Sequence, residues 1–135
     1  MRMPATPAGT LLAPCGMDCL VCAQHCRREN PCPGCNAADA RKPKHCRDCK
    51  RKQCARQRGV ALCAACPAFP CARLKSLDRA YKRYGVSLIE NGRAAARDVG
   101  LFWEAEQKRW TCPACGGVIS LHDRVCSDCG KGSIV

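Results

Sequence analysis

Regular spacing of apolar side chains begins only at about residue 72 of the chain. From there, apolar and aromatic side chains recur at intervals of three and four residues, at Leu74, Leu77, Tyr81 and Tyr84. This period puts them on one face of a helix, and Gly85 is suited to ending it. The pattern predicts a first helix, with Cys71 at its start.

Two more helices are predicted after Gly85. Ser87 followed by Glu90 has the form of a capping box and predicts the start of a second helix. We expect Gly100 to break that helix, because glycine is a poor helix former. A third short helix is expected from Leu101 to Arg109. Two aromatic residues lie on its buried side: Phe102 and Trp103.

The chain before this helical part shows almost no apolar periodicity and holds twelve of the sixteen cysteines. Four segments are predicted: a flexible tail (1–13), a loop-rich multi-cysteine metal-binding lobe (14–71), a helical spacer (72–109) and a zinc ribbon (110–135). The expected fold class is a small metal-stabilised α+β protein. It combines the loop-rich N-terminal lobe, two to three short helices and C-terminal zinc-ribbon hairpins.

The amino-acid composition indicates that packing of a hydrophobic core does not stabilise this chain by itself. Its 135 residues include 16 cysteines but only 4% aromatic residues, and a cysteine share above about 8–10% marks a cysteine-dependent scaffold. A chain of this size with few large apolar side chains is poorly held by core packing alone. We therefore expect a protein stabilised by a group bound to sulfur, not a conventional enzyme fold.

The spacing of the cysteines favours metal ions over disulfides. Disulfide scaffolds belong to oxidising compartments and follow a signal peptide, whereas the first residues here hold only a short apolar run flanked by prolines. No stretch approaches the about 18 apolar residues of a membrane span. We expect a cytoplasmic protein with reduced thiols and no membrane partner. Twelve cysteines form C-x-x-C pairs, in which two sulfurs reach one ion from a tight turn: Cys19/Cys22, Cys32/Cys35, Cys46/Cys49, Cys63/Cys66, Cys112/Cys115 and Cys126/Cys129.

The strongest signal is the C-terminal set of two pairs, Cys112/Cys115 and Cys126/Cys129, each followed by glycine. Such knuckles present four sulfurs tetrahedrally between short hairpins, which predicts a zinc ribbon. A rubredoxin-like iron site uses the same geometry and is the alternative. A closed four-cysteine site leaves no position for water, so we expect it to be structural. The predicted strand residues between the knuckles are Val118, Ile119 and Leu121.

The cysteines of the N-terminal lobe suffice for three further four-sulfur sites, but the sequence does not assign their partners. They are Cys15, Cys19, Cys22, Cys26, Cys32, Cys35, Cys46, Cys49, Cys54, Cys63, Cys66 and Cys71. The repeated pairs favour zinc, up to four ions in all. The clustered spacing of the first four favours the alternative of 4Fe–4S clusters in this lobe, with zinc in the ribbon. His25 and His45 each adjoin a cysteine and are either replacement ligands or exposed loop residues.

The lobe also contains an internal repeat with an offset of 17 residues. Cys46-x2-Cys49-x4-Cys54-Ala-Arg is matched by Cys63-x2-Cys66-x4-Cys71-Ala-Arg. The shared Ala-Arg favours a small duplicated knuckle over coincidence. In the second copy, Cys71 begins the first predicted helix, where a thiolate gains from the helix dipole.

Several motifs together resemble a known family. They are Ala13-Pro-Cys-Gly-Met-Asp-Cys19, Cys32-Pro-Gly-Cys35, Cys63-x2-Cys66-Pro-x-Phe-Pro-Cys71-x2-Leu74, Tyr84-Gly-x-Ser-Leu-Ile-Glu-Asn91 and Trp110-x-Cys-Pro-x-Cys-Gly-Gly117. Over about residues 12–131 the chain resembles the cysteine-rich domain-of-unknown-function family 3795, which occurs mostly in anaerobic bacteria and archaea. The resemblance implies a cytosolic metal-binding protein without an assigned activity. Cys26 and one of Cys46 and Cys49 are additional to the family pattern.

No catalytic constellation is found in the sequence, and we favour a non-catalytic multi-metal-binding protein that acts as a scaffold, adaptor or small subunit with another protein as partner. The first alternative is an iron–sulfur electron carrier or a cluster-bearing partner of an oxidoreductase. The second is a nucleic-acid-binding zinc protein, in which residues 41–58 contact phosphates. Metal storage is disfavoured by closed sites. The basic residues of that segment are Arg41, Lys42, Lys44, Arg47, Lys50, Arg51, Lys52, Arg56 and Arg58.

The formal net charge of +12 counts the cysteines as neutral, although metal binding requires thiolates. Each four-thiolate zinc site carries +2 − 4 = −2, so four sites carry −8. The net charge then falls to about +4. Most of the basic excess is therefore interpreted as counter-charge for metal sites, and nucleic-acid binding ranks below the scaffold.

Overall fold

The computed structural model describes residues 1–132, so the last three residues of the predicted ribbon segment lie outside the described part. The helices of that part are α1 (Ala23–Cys26), α2 (Lys44–Arg47), α3 (Lys50–Arg58), α4 (Ala72–Tyr81), α5 (Leu88–Arg97) and α6 (Val99–Trp110). Short 3₁₀ turns span Gly9–Leu11, Cys19–Val21, Cys63–Ala65 and Lys82–Tyr84. The expected loop-rich lobe thus contains helix α3, which its apolar pattern did not signal.

The first predicted helix is confirmed. Cys71 is the N-cap of α4, and a 3₁₀ turn extends the helix to Tyr84. Gly85 then adopts the left-handed conformation with φ of 73° and ends it. Leu74 is 1% exposed, so the apolar face predicted from the period is the one that packs inward.

The second helix also begins where it was predicted to begin. Ser87 is its N-cap, and the Ser87 hydroxyl accepts a hydrogen bond from the Glu90 N–H at 3.2 Å. The expectation that Gly100 breaks this helix is wrong. Helix α5 ends earlier, because Asp98 is extended and its carboxylate accepts from the Leu101 N–H at 3.1 Å, which starts α6. Gly100 therefore lies inside the first turn of α6.

The α+β class expected from sequence is not what the structure shows. It is mostly helical, and within residues 1–132 the ribbon segment forms isolated bridges instead of strand hairpins, at Thr111–Val118, Ile119–Cys126 and Val125–Gly132. Val118 and Ile119 are nonetheless buried.

One continuous core joins the N-terminal lobe, the helices and the ribbon segment. Phe102 and Trp103 are both buried, as expected from the sequence, and Trp110 at the end of α6 is fully enclosed. Two carboxyl groups, Asp18 and Glu106, are also buried there. Burial, and after it the neighbouring Glu106 charge, raises the pKa of Asp18 to about 8.

Residues 1–13, for which a flexible tail was expected, are in contact with the ribbon segment in the structure. The Met3 N–H donates to the Gly116 carbonyl at 3.0 Å, and the Val118 N–H donates to the Met1 carbonyl at 2.7 Å. The division of the chain into four segments remains a prediction. Among residues 1–132, no helix has the length and apolar character required to cross a membrane.

Candidate metal centres

The cysteines of the C-terminal knuckles converge on one point. We call Cys112, Cys115, Cys126 and Cys129 the ribbon cluster; their sulfurs all lie within 4.8 Å of one another. The Cys112–Cys129 sulfur distance is 3.9 Å and the Cys115–Cys126 distance is 3.5 Å. A tetrahedral zinc ion with Zn–S bonds of about 2.3 Å separates its sulfurs by about 3.8 Å. The spacing fits a tetrahedral ion and is far longer than the about 2.05 Å of a disulfide.

Backbone N–H groups point at the sulfurs of the ribbon cluster, as the glycines after each pair had suggested. Gly117 N–H donates to Cys115 Sγ at 3.3 Å, and Asp128 N–H donates to Cys126 Sγ at 3.4 Å. Burial opposes ionisation of Cys126, but the backbone donors and the neighbouring thiols lower its pKa to about 7. The Gly117 N–H lowers the pKa of Cys115, but burial and the neighbouring thiols raise it to about 12. The knuckles therefore favour the thiolate, the form that binds metal, at Cys126.

Seven cysteines of the N-terminal lobe line a second feature, a cavity of about 510 Å³ that we call the large cavity. They are Cys15, Cys19, Cys22, Cys32, Cys35, Cys46 and Cys49. Cys22 and Cys49 are the N-caps of α1 and α3, and the 3₁₀ turn after Asp18 positions Cys19. All sixteen cysteines of the chain are free thiols in the structure.

The thiols of Cys19 and Cys35 are hydrogen-bonded to each other in the large cavity. The Cys35 N–H donates to Cys19 Sγ at 3.4 Å. The hydrogen bond from the Cys19 thiol, followed by the charges of Lys42 and Lys52, lowers the pKa of Cys35 to about 7 against the effect of burial. The same hydrogen bond and burial raise the pKa of Cys19. Within this pair, the surroundings favour the thiolate at Cys35 and disfavour it at Cys19.

Three residues that the sequence did not assign to a metal site also face the large cavity: His122, Tyr81 and Arg51. His122 accepts from the Ala23 N–H through Nδ1 at 3.2 Å and contacts the Tyr81 hydroxyl through Nε2 at 3.3 Å. Arg51 lines the cavity, and its buried Nε has no hydrogen-bond partner in the structure. These contacts join residues far apart in the chain, so neither spacing nor composition signalled them.

His25 differs from the exposed loop histidine that was one of its two interpretations. It is half-buried on α1 and lines the large cavity. Its Nδ1 lies 2.6 Å from the Cys32 carbonyl oxygen, so Nδ1 is the protonated nitrogen and Nε2 is left with a free lone pair. Metal-binding histidines commonly have this arrangement. His45 is exposed at the rim of the same cavity.

Four of the other five cysteines before the helical spacer line a separate, small cavity. We call Cys54, Cys63, Cys66 and Cys71 the repeat cluster; they enclose about 60 Å³. Within residues 1–132, only the ribbon cluster brings three or more possible metal-ligand atoms within 4.8 Å of one another. The sulfurs of the repeat cluster and of the large cavity are therefore spread more widely.

Cys26 lies apart from both N-terminal cavities. Its thiol donates to the Leu20 carbonyl at 3.2 Å and is buried. Burial raises the pKa of Cys26 to about 12, which disfavours the thiolate. Cys26 lines neither N-terminal cavity, and the expectation that it is a metal ligand stays a prediction.

The basic segment 41–58 is less available to phosphates than its sequence suggests. The Lys42 side chain is fully buried; it donates to the Cys35 carbonyl at 2.9 Å and pairs with Asp39 at 3.2 Å. Lys52 is 3% exposed and pairs with the same carboxylate at 3.3 Å. Arg51 lines the large cavity. Three of the nine basic side chains of this segment therefore lie inside the lobe or along its cavity and are less accessible to phosphates.

The fold and these cysteine groups define a small, mostly helical, cysteine-rich protein with candidate metal sites. The model of the family described as "Protein of unknown function (DUF3795)" matches residues 11–76, so this part of the chain is similar to that family. The match covers the large cavity's cysteines and the repeat cluster, while the resemblance beyond residue 76 stays a prediction. Neither a curated protein nor a solved structure matches the chain.

Proposed function

We propose that the protein is a non-catalytic multi-metal-binding scaffold, adaptor or small subunit of the cytoplasm, with another protein as its partner. The observation that carries this proposal is the ribbon cluster, whose sulfurs are spaced for one tetrahedral ion. Zinc is the ion we propose there, because four thiolates in tetrahedral geometry are its usual structural site. An ion held by four thiolates has no free position for a substrate, so it supports structure.

The N-terminal lobe has ligands for up to three further zinc ions. The large cavity supplies seven sulfurs and, through Nε2 of His25, an eighth donor, which is enough for two four-ligand sites. The repeat cluster supplies four more. With the ribbon cluster, this gives four ions per chain, as the count of sixteen cysteines also suggests, but with His25 in place of Cys26.

An iron–sulfur cluster in the N-terminal lobe is the second candidate. It is favoured by the volume of the large cavity, about 510 Å³, which exceeds the space that a single ion enclosed by its ligands needs. Buried Lys42 and Lys52 lie close enough to lower the pKa of Cys35, and buried cations suit the negative charge of a thiolate-bound cluster. The protein would then be an electron carrier or a cluster-bearing partner of an oxidoreductase, with zinc retained in the ribbon cluster.

Elemental analysis of the full chain, purified without oxygen, tests both candidates. Four zinc ions per chain, in a colourless protein, are expected for the scaffold. One or two zinc ions with iron in multiples of four, and a broad visible absorption that dithionite bleaches, would replace the scaffold by the carrier. The Cys112→Ser variant serves as the internal reference, since it should lose one zinc ion and leave the N-terminal metal in place. A wild-type chain without bound metal would contradict the proposed function.

A further inference from the structure

The repeat cluster combines cysteines from both copies of the internal repeat. Cys54, the third cysteine of the first copy, lies on α3, whereas Cys63, Cys66 and Cys71 make up the whole second copy. Cys63 and Cys66 flank the 3₁₀ turn at Cys63–Ala65, closed by the Cys66 N–H to Cys63 carbonyl bond of 2.9 Å. The four thiols line one cavity, and α3, which carries Cys54, ends at Arg58 with Gly59 as its left-handed C-cap.

The other cysteines of the first copy do not join them. Cys46 and Cys49 correspond in the repeat to Cys63 and Cys66, yet they line the large cavity. The ligand sets therefore do not follow the sequence repeat. Two equivalent three-cysteine knuckles, which the repeat alone suggests, are not what the chain builds.

The surroundings of the repeat cluster suit a closed thiolate site. Besides the four cysteines, the small cavity is lined by one charged residue and by apolar side chains: Ala55, Val60, Ala68, Phe69 and Leu74. No carboxylate or histidine competes with sulfur in this lining. Soft sulfur ligands in a small apolar enclosure select zinc or another thiophilic ion over hard cations such as magnesium or calcium.

The one charged residue in the lining is Arg58, at the end of α3. Its Nη1 donates to Cys66 Sγ at 3.5 Å, and it also hydrogen-bonds Cys54. Each of these thiols belongs to a different copy of the repeat, so the guanidinium connects the two. A guanidinium in this position offsets part of the charge of −2 that four thiolates and a divalent ion carry.

We propose that Cys54, Cys63, Cys66 and Cys71 bind one divalent thiophilic ion as a second closed four-thiolate site, with Arg58 as hydrogen-bond donor to its sulfurs. This assignment rests on the proposed metal-binding function and names one ligand set within it. The sulfurs are spread over more than the span of the ribbon cluster, so binding draws them inward by side-chain rotation. The small volume of the cavity leaves room for one ion.

Metal content of single and double variants tests which cysteines share an ion. Cys54→Ala and Cys71→Ala should each lower the metal content by one ion per chain, and the double variant should also lose one, since both changes remove the same site. Cys46→Ala combined with Cys71→Ala should lose more than Cys71→Ala alone, because Cys46 faces the large cavity. The assignment is wrong if the Cys54→Ala and Cys46→Ala double variant loses only one ion while the Cys54→Ala and Cys71→Ala double variant loses two.

Alkylation of the wild-type full chain provides a second measurement that needs no variant to fold. Metal-bound thiolates resist alkylation, and a limiting amount of chelator should expose Cys54, Cys63, Cys66 and Cys71 to the reagent at one common rate. Labelling of Cys54 in step with Cys46 and Cys49 would overturn the assignment. If the untreated chain binds metal but labelling does not follow the set, the assignment alone fails; if it binds none, the proposed function fails as well.

Two further variants separate ligation from mere packing. Cys71→His keeps a metal donor at the N-cap of α4 and should retain the ion that Cys71→Ala loses. Arg58→Gln removes the donor to sulfur without removing a ligand. It should leave the stoichiometry unchanged and increase the rate of metal release to a chelator by about tenfold, as loss of a supporting hydrogen bond commonly does. Release at the wild-type rate would exclude the role given to Arg58.

Discussion

Gly117 lies against the ribbon cluster more closely than any side chain allows. Its N–H donates to Cys115 Sγ. A Cβ at this position would lie 2.7 Å from Cys126 Sγ and 3.2 Å from Cys115 Sγ, where at least one sulfur must move. The glycine that follows the first pair is therefore required by the sulfurs and not only by the turn.

We expect Gly117→Ala to weaken metal binding at the ribbon cluster by about 10- to 100-fold, the usual effect of disturbing the groups that support metal ligands. Competition with a chelator of known affinity measures the change. Gly132→Ala in the same segment is the matched control, since a Cβ there meets nothing within 4 Å. Equal affinities of the two variants would show that the sulfurs do not need this close approach.

At the residue scale, the ribbon cluster was predictable because its four ligands come from two local pairs in one short segment. The group of residues that lines the large cavity was not predictable from the sequence. Its lining extends from Cys15 to Asp123, and no spacing rule relates His122 to Tyr81 or to Ala23. Cys26 illustrates the reverse case: its spacing to Cys22 looks like a ligand pattern, but the fold turns its thiol towards the Leu20 carbonyl.

At the scale of elements, the contact between α4 and α5 depends on the cap at Ser87. The Ser87 hydroxyl accepts from the Glu90 N–H and donates to Asp78 Oδ1 at 2.9 Å, and the same carboxylate accepts from the Ile89 N–H at 3.1 Å. One carboxylate on α4 thus holds the first turn of α5. This turn lies next to Leu88, which is 1% exposed.

We expect Ser87→Ala to lower the free energy of unfolding by about 1–2 kcal/mol, because it removes an N-cap together with the hydrogen bond to Asp78. Ser76→Ala is the matched control: Ser76 is exposed within α4, where alanine is the better helix former. Denaturant titrations of the metal-loaded variants measure the difference. A Ser87→Ala protein as stable as the Ser76→Ala protein would contradict the role of the cap.

Helix bounds were predictable where a cap residue or a terminating glycine marks them in the sequence. Ser87 and Cys71 are caps whose sequence signals agree with the structure. Gly100 was mistaken for a terminator because its low helix propensity was weighed without the cap before it; Asp98 begins α6 two residues earlier, and the first turn tolerates glycine. The predicted ribbon hairpins are not shown, because the described part of this segment pairs through isolated bridges.

At the scale of the whole molecule, several of the basic side chains lie close to cysteine thiols. The formal charge of +12 includes Lys42 and Lys52, whose charges lower the pKa of Cys35, and Arg58, which donates to Cys66. These cations lie beside thiols in both N-terminal cavities. The interpretation of the basic excess as counter-charge for metal sites, made from arithmetic alone, is supported by these contacts.

Removal of every bound ion together should unfold the whole protein, whereas loss of a single ion leaves the other sites to hold the fold. The core is a single cluster that includes Cys15, Cys19, Cys112 and Cys126 among its buried members, so ligand residues and core residues are partly the same. A structural zinc site contributes about 10–16 kcal/mol in small domains, which equals or exceeds the about 5–15 kcal/mol by which a domain is normally stable. Loss of metal therefore removes more free energy than packing alone can replace.

A strong chelator should accordingly shift the fluorescence of both tryptophans to longer wavelength in one cooperative step. Trp103 and Trp110 both lie on α6 and are buried, Trp110 completely, so their emission reports whether the core opens. The same chelator preloaded with zinc is the control and should leave the spectrum unchanged. A shift that is absent after all metal has been removed, or that occurs in separate steps for separate sites, would mean that the helices and their apolar contacts hold the core closed without the ions.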